Sequence, residues 1–123
     1  MDSILTSVKK LLGLTEEYTA FDADLIMHIN SVLMILRQMG VGPQEGFGIS
    51  DATATWSEFC QNRADIEAVK SYTALKVKMQ ETEGMVRCIA PSRERSLALT
   101  KLDEALFWAN AAIAAEGVMD HEE

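Results

Sequence analysis

Cysteine and proline are scarce in this chain, two of each among 123 residues, and glycine numbers only seven. Cys60 and Cys88 lie far apart with no CxxC pair. Neither a disulfide framework nor a zinc site is indicated, and two half-buried thiols are the plain reading. Positive charge is also short. Eleven Lys and Arg face 19 Asp and Glu, for a net charge of -8 and a pI near 4.7. That balance excludes a general nucleic-acid coat and a polybasic membrane binder, while leaving room for a small anion in a local basic pocket. No apolar run approaches the roughly 18 residues of a membrane span. Met1 leads into Asp2 and a polar run, not into a signal peptide, so a soluble intracellular protein is expected.

Catalytic signatures are missing as well. No Gly-x-Ser-x-Gly, P-loop, GxGxxG or HExxH occurs, and the two histidines, His28 and His121, are far apart. The adjacent acids Glu16-Glu17 and Asp103-Glu104 point about 100° apart on a helix, which suits solvated charge better than a shared metal. The expectation is no enzyme, no metal and no cofactor.

What is present is helical patterning. Apolar residues make up 48% of the chain, enough for one domain with its own core. Ile4, Leu5, Val8, Leu11 and Leu12 keep helical spacing up to Gly13, a natural C-cap. Thr19 and Asp22 read as a capping box before a helix over about 21 to 39, carried by Leu25, Ile26, Ile29, Val32, Leu33, Leu36 and Met39. His28 falls on or beside that apolar face as a structural histidine. Residues 40 to 55, GVGPQEGFGISDATAT, hold four glycines and a proline with no helical period, and predict a long loop. Within it Phe47 and Ile49 alternate with glycine, and either tuck onto the core or offer an edge to a neighbour. Thr55 to Glu58 form a second box, with Trp56 and Phe59 packing early in the next helix.

A third long stripe runs over 65 to 89 through Ile66, Val69, Tyr72, Leu75, Lys76, Met79 and Val86. Gly84 is its weak point, and Lys70, Lys76 and Lys78 are read as exposed. Pro91 ends it and Ser92 caps the last helix, which reaches about residue 115. There Leu99, Leu102, Leu106, Ala109 and Ile113 alternate threes and fours, the seam of a close helix pair. Residues 116 to 123 carry four acids and no base, and read as a frayed tail. The expected fold is all-α: a small bundle of four to five helices with one long Gly-rich loop and a C-terminal helical hairpin.

One stretch departs from the acidic background. Residues 84 to 115 place Arg87, Arg93, Arg95 and Lys101 against Glu94, Asp103 and Glu104, with the cations around the turn and the start of the last helix. A helix N-terminus has free N–H groups and a positive dipole end, so this region can hold a phosphate. Ordinary intrahelical pairs such as Lys101 with Glu104 are the plainer use of the same charges.

Two resemblances are carried by longer runs. SVKKLLGL, FDADLIMHINSVLMILRQMGVG, EGFGISDATATWSEF and IEAVKSYTALKVKM, in that order over residues 1 to 79, resemble the phage head-tail connector (adaptor) proteins. That resemblance implies a helical, non-enzymatic subunit of a homo-oligomeric ring. Its partners would be the phage portal and tail proteins, and its place the host cytoplasm or the virion. It also implies that the loop around Phe47, with Trp56, is offered to neighbouring subunits. Where such connectors continue into an Asp-Pro-Pro turn and a last helix, this chain reads QETEGMVRCIAP.

SRERSLALTKLDEALFWANAAIA, residues 92 to 114, resembles the hairpin domain of phage anti-defence sponges that sequester the cyclic nucleotide signals of the CBASS and Thoeris systems. This second resemblance implies binding of cyclic di- or trinucleotides without catalysis. Arg93, Arg95, Thr100 and Lys101 would face phosphates, and Leu102, Leu106, Trp108 and Ala109 would pack an oligomer. The expected organisation is a connector-like region over 1 to 79, a sponge-like hairpin over 80 to 116 sharing the helix 65 to 89, and an acidic tail over 117 to 123.

Overall fold

The structure is a computed structural model that describes residues 3 to 118. His121 and most of the expected acidic tail lie outside the described residues. Five helices follow in order: α1 (Ile4–Leu12), α2 (Asp22–Arg37), the single turn α3 (Trp56–Phe59), α4 (Arg63–Arg87) and α5 (Arg93–Glu116). The fold is all-α, a small bundle with a C-terminal hairpin.

α1 begins where Ser3 Oγ accepts from the Thr6 amide and ends at Gly13, whose φ of 82° is left-handed. Ile4, Leu5, Val8 and Leu12 face the core, while Leu11 points out. The second expected cap takes another form. Phe21 is the N-cap of α2 and no side chain caps it; Thr19 offers only its carbonyl to the Asp22 amide. The Asp22 carboxylate goes instead to Lys9 Nζ at 2.9 Å. The Lys9 side chain is 3% exposed and also donates to Glu16 O. A buried ammonium left without an anion costs more than an open helix end that water can reach, so the ion pair takes precedence over the cap.

The long loop between α2 and α3 folds inward. Asn30 uses its amide as a short strand would, with Nδ2 donating to Ile49 O at 2.8 Å and Oδ1 accepting from the Ile49 amide at 2.7 Å. Ile49 is thereby buried, and Phe47 lies edge-on to Phe59. Of the two options for this segment, the tucked one is realised. Gly42, at φ +90°, is required: a Cβ there would stand 2.8 Å from the Phe59 ring. The loop closes on α1 through the Ile4 amide and Ala54 O at 2.9 Å.

Leu25, Ile29, Val32, Leu33 and Leu36 of α2 meet Ala68, Val69 and Tyr72 of α4 and the apolar face of α1 around Trp56 and Phe59. All the buried α4 residues lie in its first half. Lys70 and Lys76, expected on the open face, are half-buried, their stems covering apolar surface. α4 continues without a break through Gly84 to Arg87, about 37 Å in all for 25 residues. The boundary expected after residue 79 falls inside it. The last turns of α4 and the first turns of α5 stand out from the bundle as an arm, whose second helix returns to the core through Leu106, Ile113 and Ala114.

Candidate assembly and ligand-binding site

The arm is assembled by the turn between α4 and α5. Pro91 cannot continue a helix, and Ser92 Oγ accepts from the Arg95 amide at 3.0 Å to start the next. The Arg95 guanidinium reaches back, Nη1 donating to the carbonyls of Arg87 at 3.2 Å and Ile89 at 3.1 Å. It thus occupies the orphan acceptors at the end of α4 and pins the hairpin shut. Its Nε is buried with no partner. Arg95, expected on a phosphate, is engaged in holding the turn.

The other expected phosphate ligands are open. Arg93 opens the first turn of α5, and Thr100 and Lys101 follow two turns later, all three exposed. Lys101 Nζ stands 3.5 Å from Glu104, and with that side chain 74% exposed the pair is weak. Arg87 is held more firmly by Glu83, at 2.7 Å.

The expected oligomer contacts divide into two sets. Trp56 is 5% exposed and donates through Nε1 to Ser7 Oγ at 2.9 Å, so its ring is consumed inside its own protomer and is not on offer to a neighbour. Phe47 is half-buried against Phe59. Leu102, Leu106 and Ala109 are half-buried on the side of α5 that packs along α4, with Leu106 reaching the core. Trp108 is different: it is 67% exposed, and neighbouring Phe107, edge-on to it at 5.2 Å, is 57% exposed. Isolated exposed apolar residues are ordinary, whereas two large rings held together in water are not. Trp108 is expected to pack an oligomer only through the hairpin resemblance, and Phe107 is not named there.

Several residues that shape the molecule had no signal in the sequence. Lys9 sits in a Lys-Lys pair that reads as surface, yet it is buried. Asn30 lies beside the apolar face of α2 without any motif. Asn110, in an alanine-rich stretch, is the one residue of α5 that is fully buried, and its Oδ1 has no partner.

Half-buried His28 lines an open groove of about 360 Å³ with Leu12, Phe21, Asp24 and Val77. Its pKa lies below the ordinary histidine value because burial disfavours the charged ring and Lys76 repels it, with Asp24 opposing. Burial lowers the Lys76 pKa as well. Among the described residues no three His, Cys, Asp or Glu side chains gather as a metal site needs, and no helix is long and apolar enough to cross a membrane.

This architecture is an all-α bundle carrying a C-terminal helical hairpin with two large rings in solvent. Residues 4–81 match the family model described as phage connector protein, and the chain belongs to that family. Residues 59–114 match the model described as the hairpin domain of Acb2/Tad1. The two matches overlap over 59–81, which covers α4 up to the base of the arm. No curated protein matches the chain, and no solved structure does.

Proposed function

We propose that this chain is a non-enzymatic subunit of a homo-oligomeric phage connector that assembles on the portal, in the host cytoplasm and then in the virion, with the hairpin arm as the element on which neighbouring subunits pack. The carrying observation is the Phe107–Trp108 pair, exposed on an arm whose other face and whose supporting bundle are already packed. An apolar surface of that kind gains when water leaves it, and a second copy of the chain is always at hand to cover it. Membership of the connector family supports the same reading. Sedimentation of the purified chain, alone and with portal protein, tests it. Self-association and co-sedimentation with the portal are expected; a monomer that ignores the portal contradicts the proposal.

A second reading is favoured by the exposed row of Arg93, Thr100 and Lys101 beside the free amides at the start of α5, and by the hairpin match. Here the arm binds cyclic di- or trinucleotides and sequesters them unchanged, the phosphates taking charge-assisted hydrogen bonds. Titration calorimetry with cyclic and linear dinucleotides tests it. Saturable binding of a cyclic species, recovered intact, supports sequestration; absence of heat with every species contradicts it. Both readings require assembly or binding, and neither requires catalysis.

A further inference from the structure

The tip of the arm and the groove at its root are opposite in charge, and each leaves apolar side chains in solvent. Over residues 87 to 101 four bases, Arg87, Arg93, Arg95 and Lys101, stand against the single acid Glu94. Met85 and Ile89 at this tip are 74% and 56% exposed. Over residues 14 to 28 there are four acids, Glu16, Glu17, Asp22 and Asp24, and no Lys or Arg. In that segment Tyr18 and Phe21 lie edge-to-face at 5.7 Å, both largely in solvent.

Phe21 borders the groove described above, whose apolar wall continues through Leu14, Leu25 and Val77 and whose charged residues are Asp24, Glu81 and Lys78, the last 3.7 Å from Glu81. The groove lies against α4 near residues 77 to 81. Ile89 is some ten residues further along, about 15 Å for a continuous helix. α4 is continuous to Arg87, so a protomer cannot bring its own tip back to its own groove.

We infer that the tip of one copy docks head to tail into the root groove of the next. Ile89 and Met85 supply the apolar insert, and Arg93 and Lys101 meet Asp24, which lines the groove, and Glu17 of the acidic segment that leads into it. Arg87 and Arg95 are engaged with Glu83 and with the turn carbonyls, which leaves Arg93 and Lys101 as the cations to present. Complementary charge of this kind selects the partner and fixes its register, while the buried apolar groups hold it. The contact is heterologous, using two different patches of one chain, and such contacts close into rings when the rotation allows. It rests on the self-association proposed above and adds which surfaces meet.

The test is sedimentation velocity at about 50 mM salt, where exposed charges are weakly screened. Four proteins are compared: the parent, a tip variant (Arg93→Glu with Lys101→Glu), a root variant (Glu17→Lys with Asp24→Lys), and a chain carrying all four changes. All four positions are exposed, and circular dichroism verifies that each protein is folded. The tip and root variants are each expected to weaken self-association by about tenfold or more. The fourfold variant, and an equimolar mixture of the two single-patch variants, are expected to recover it. Ile89→Asp, an exposed change without charge reversal at the rim, is expected to weaken it as well. A root variant that associates like the parent overturns the head-to-tail contact while leaving self-association standing, as does a fourfold variant that fails to recover. A parent that is monomeric overturns self-association and the contact together.

Discussion

The Trp56 indole and the Ser7 hydroxyl, 49 positions apart in sequence, meet in a buried hydrogen bond of 2.9 Å. It ties the end of the long loop to the middle of α1 and, with the Ile4–Ala54 backbone bond, closes the bundle without using the arm. Trp56→Ala is expected to cost about 3 to 5 kcal/mol, as for other buried large-to-small changes. Ser7→Ala leaves the indole N–H buried without a partner and is expected to cost about 1 to 3 kcal/mol. Urea unfolding followed by fluorescence reads both. Ser7→Ala at parental stability would show that the hydrogen bond contributes nothing.

The Lys9–Asp22 pair fixes the angle between α1 and α2. Asp22→Ala strands a buried ammonium with only Glu16 O left to accept from it, and an expected loss of about 3 kcal/mol follows, the low end for breaking a buried pair. Lys9→Met combined with Asp22→Leu removes both charges, and is expected to be more stable than Asp22→Ala alone. Thermal melts of the two variants decide; the opposite order contradicts the account.

His28 makes stability depend on pH. Its folded pKa is below the ordinary value near 6.5, so the folded chain binds fewer protons than the unfolded one. The contribution is complete above pH 6.5 and is lost as pH falls through the unfolded and then the folded pKa. The charges around the ring are Asp24 on α2 and Lys76, Lys78 and Glu81 on α4. His28→Gln is expected to flatten the decline between about pH 7 and pH 5. Melting temperatures measured across that range read it, and an unchanged slope rules His28 out as the source.

Much of the fold was legible in the sequence for a plain reason. α1, α2, α4 and α5 are long enough for their apolar period to show, and Gly13, Pro91 and Ser92 end or start helices by local chemistry that neighbours do not alter. The capping box read at Thr19 failed because Asp22 was claimed by Lys9, thirteen positions earlier, a tertiary contact that no local pattern contains. The arm was legible as a helix pair. What the pattern did not separate was its inner seam, Leu102, Leu106 and Ala109, from its outer surface, Phe107 and Trp108. Arg95 was counted among the free cations because a side chain that reaches back to carbonyls six and eight positions earlier looks, in sequence, like any other arginine.

If the arm holds cyclic oligonucleotides, Lys101→Ala is expected to weaken binding of a cyclic dinucleotide or trinucleotide by at least about tenfold, the value of one charge-assisted contact. The fold should be untouched, since Lys101 is exposed and its ion pair to Glu104 is long. Arg95→Ala is expected to loosen the hairpin turn and lower the melting temperature. Calorimetry and melting together separate the two roles, and a Lys101→Ala titration curve identical to the parent's removes Lys101 from the site.

The most direct measurement is sedimentation equilibrium of the parent chain and of a variant carrying Phe107→Ser with Trp108→Ser. The account predicts a parent that forms a discrete oligomer and a variant shifted toward monomer with unchanged helical content, because both rings lie in solvent within the protomer. A parent that stays monomeric at every concentration, or a variant that assembles as the parent does, contradicts it.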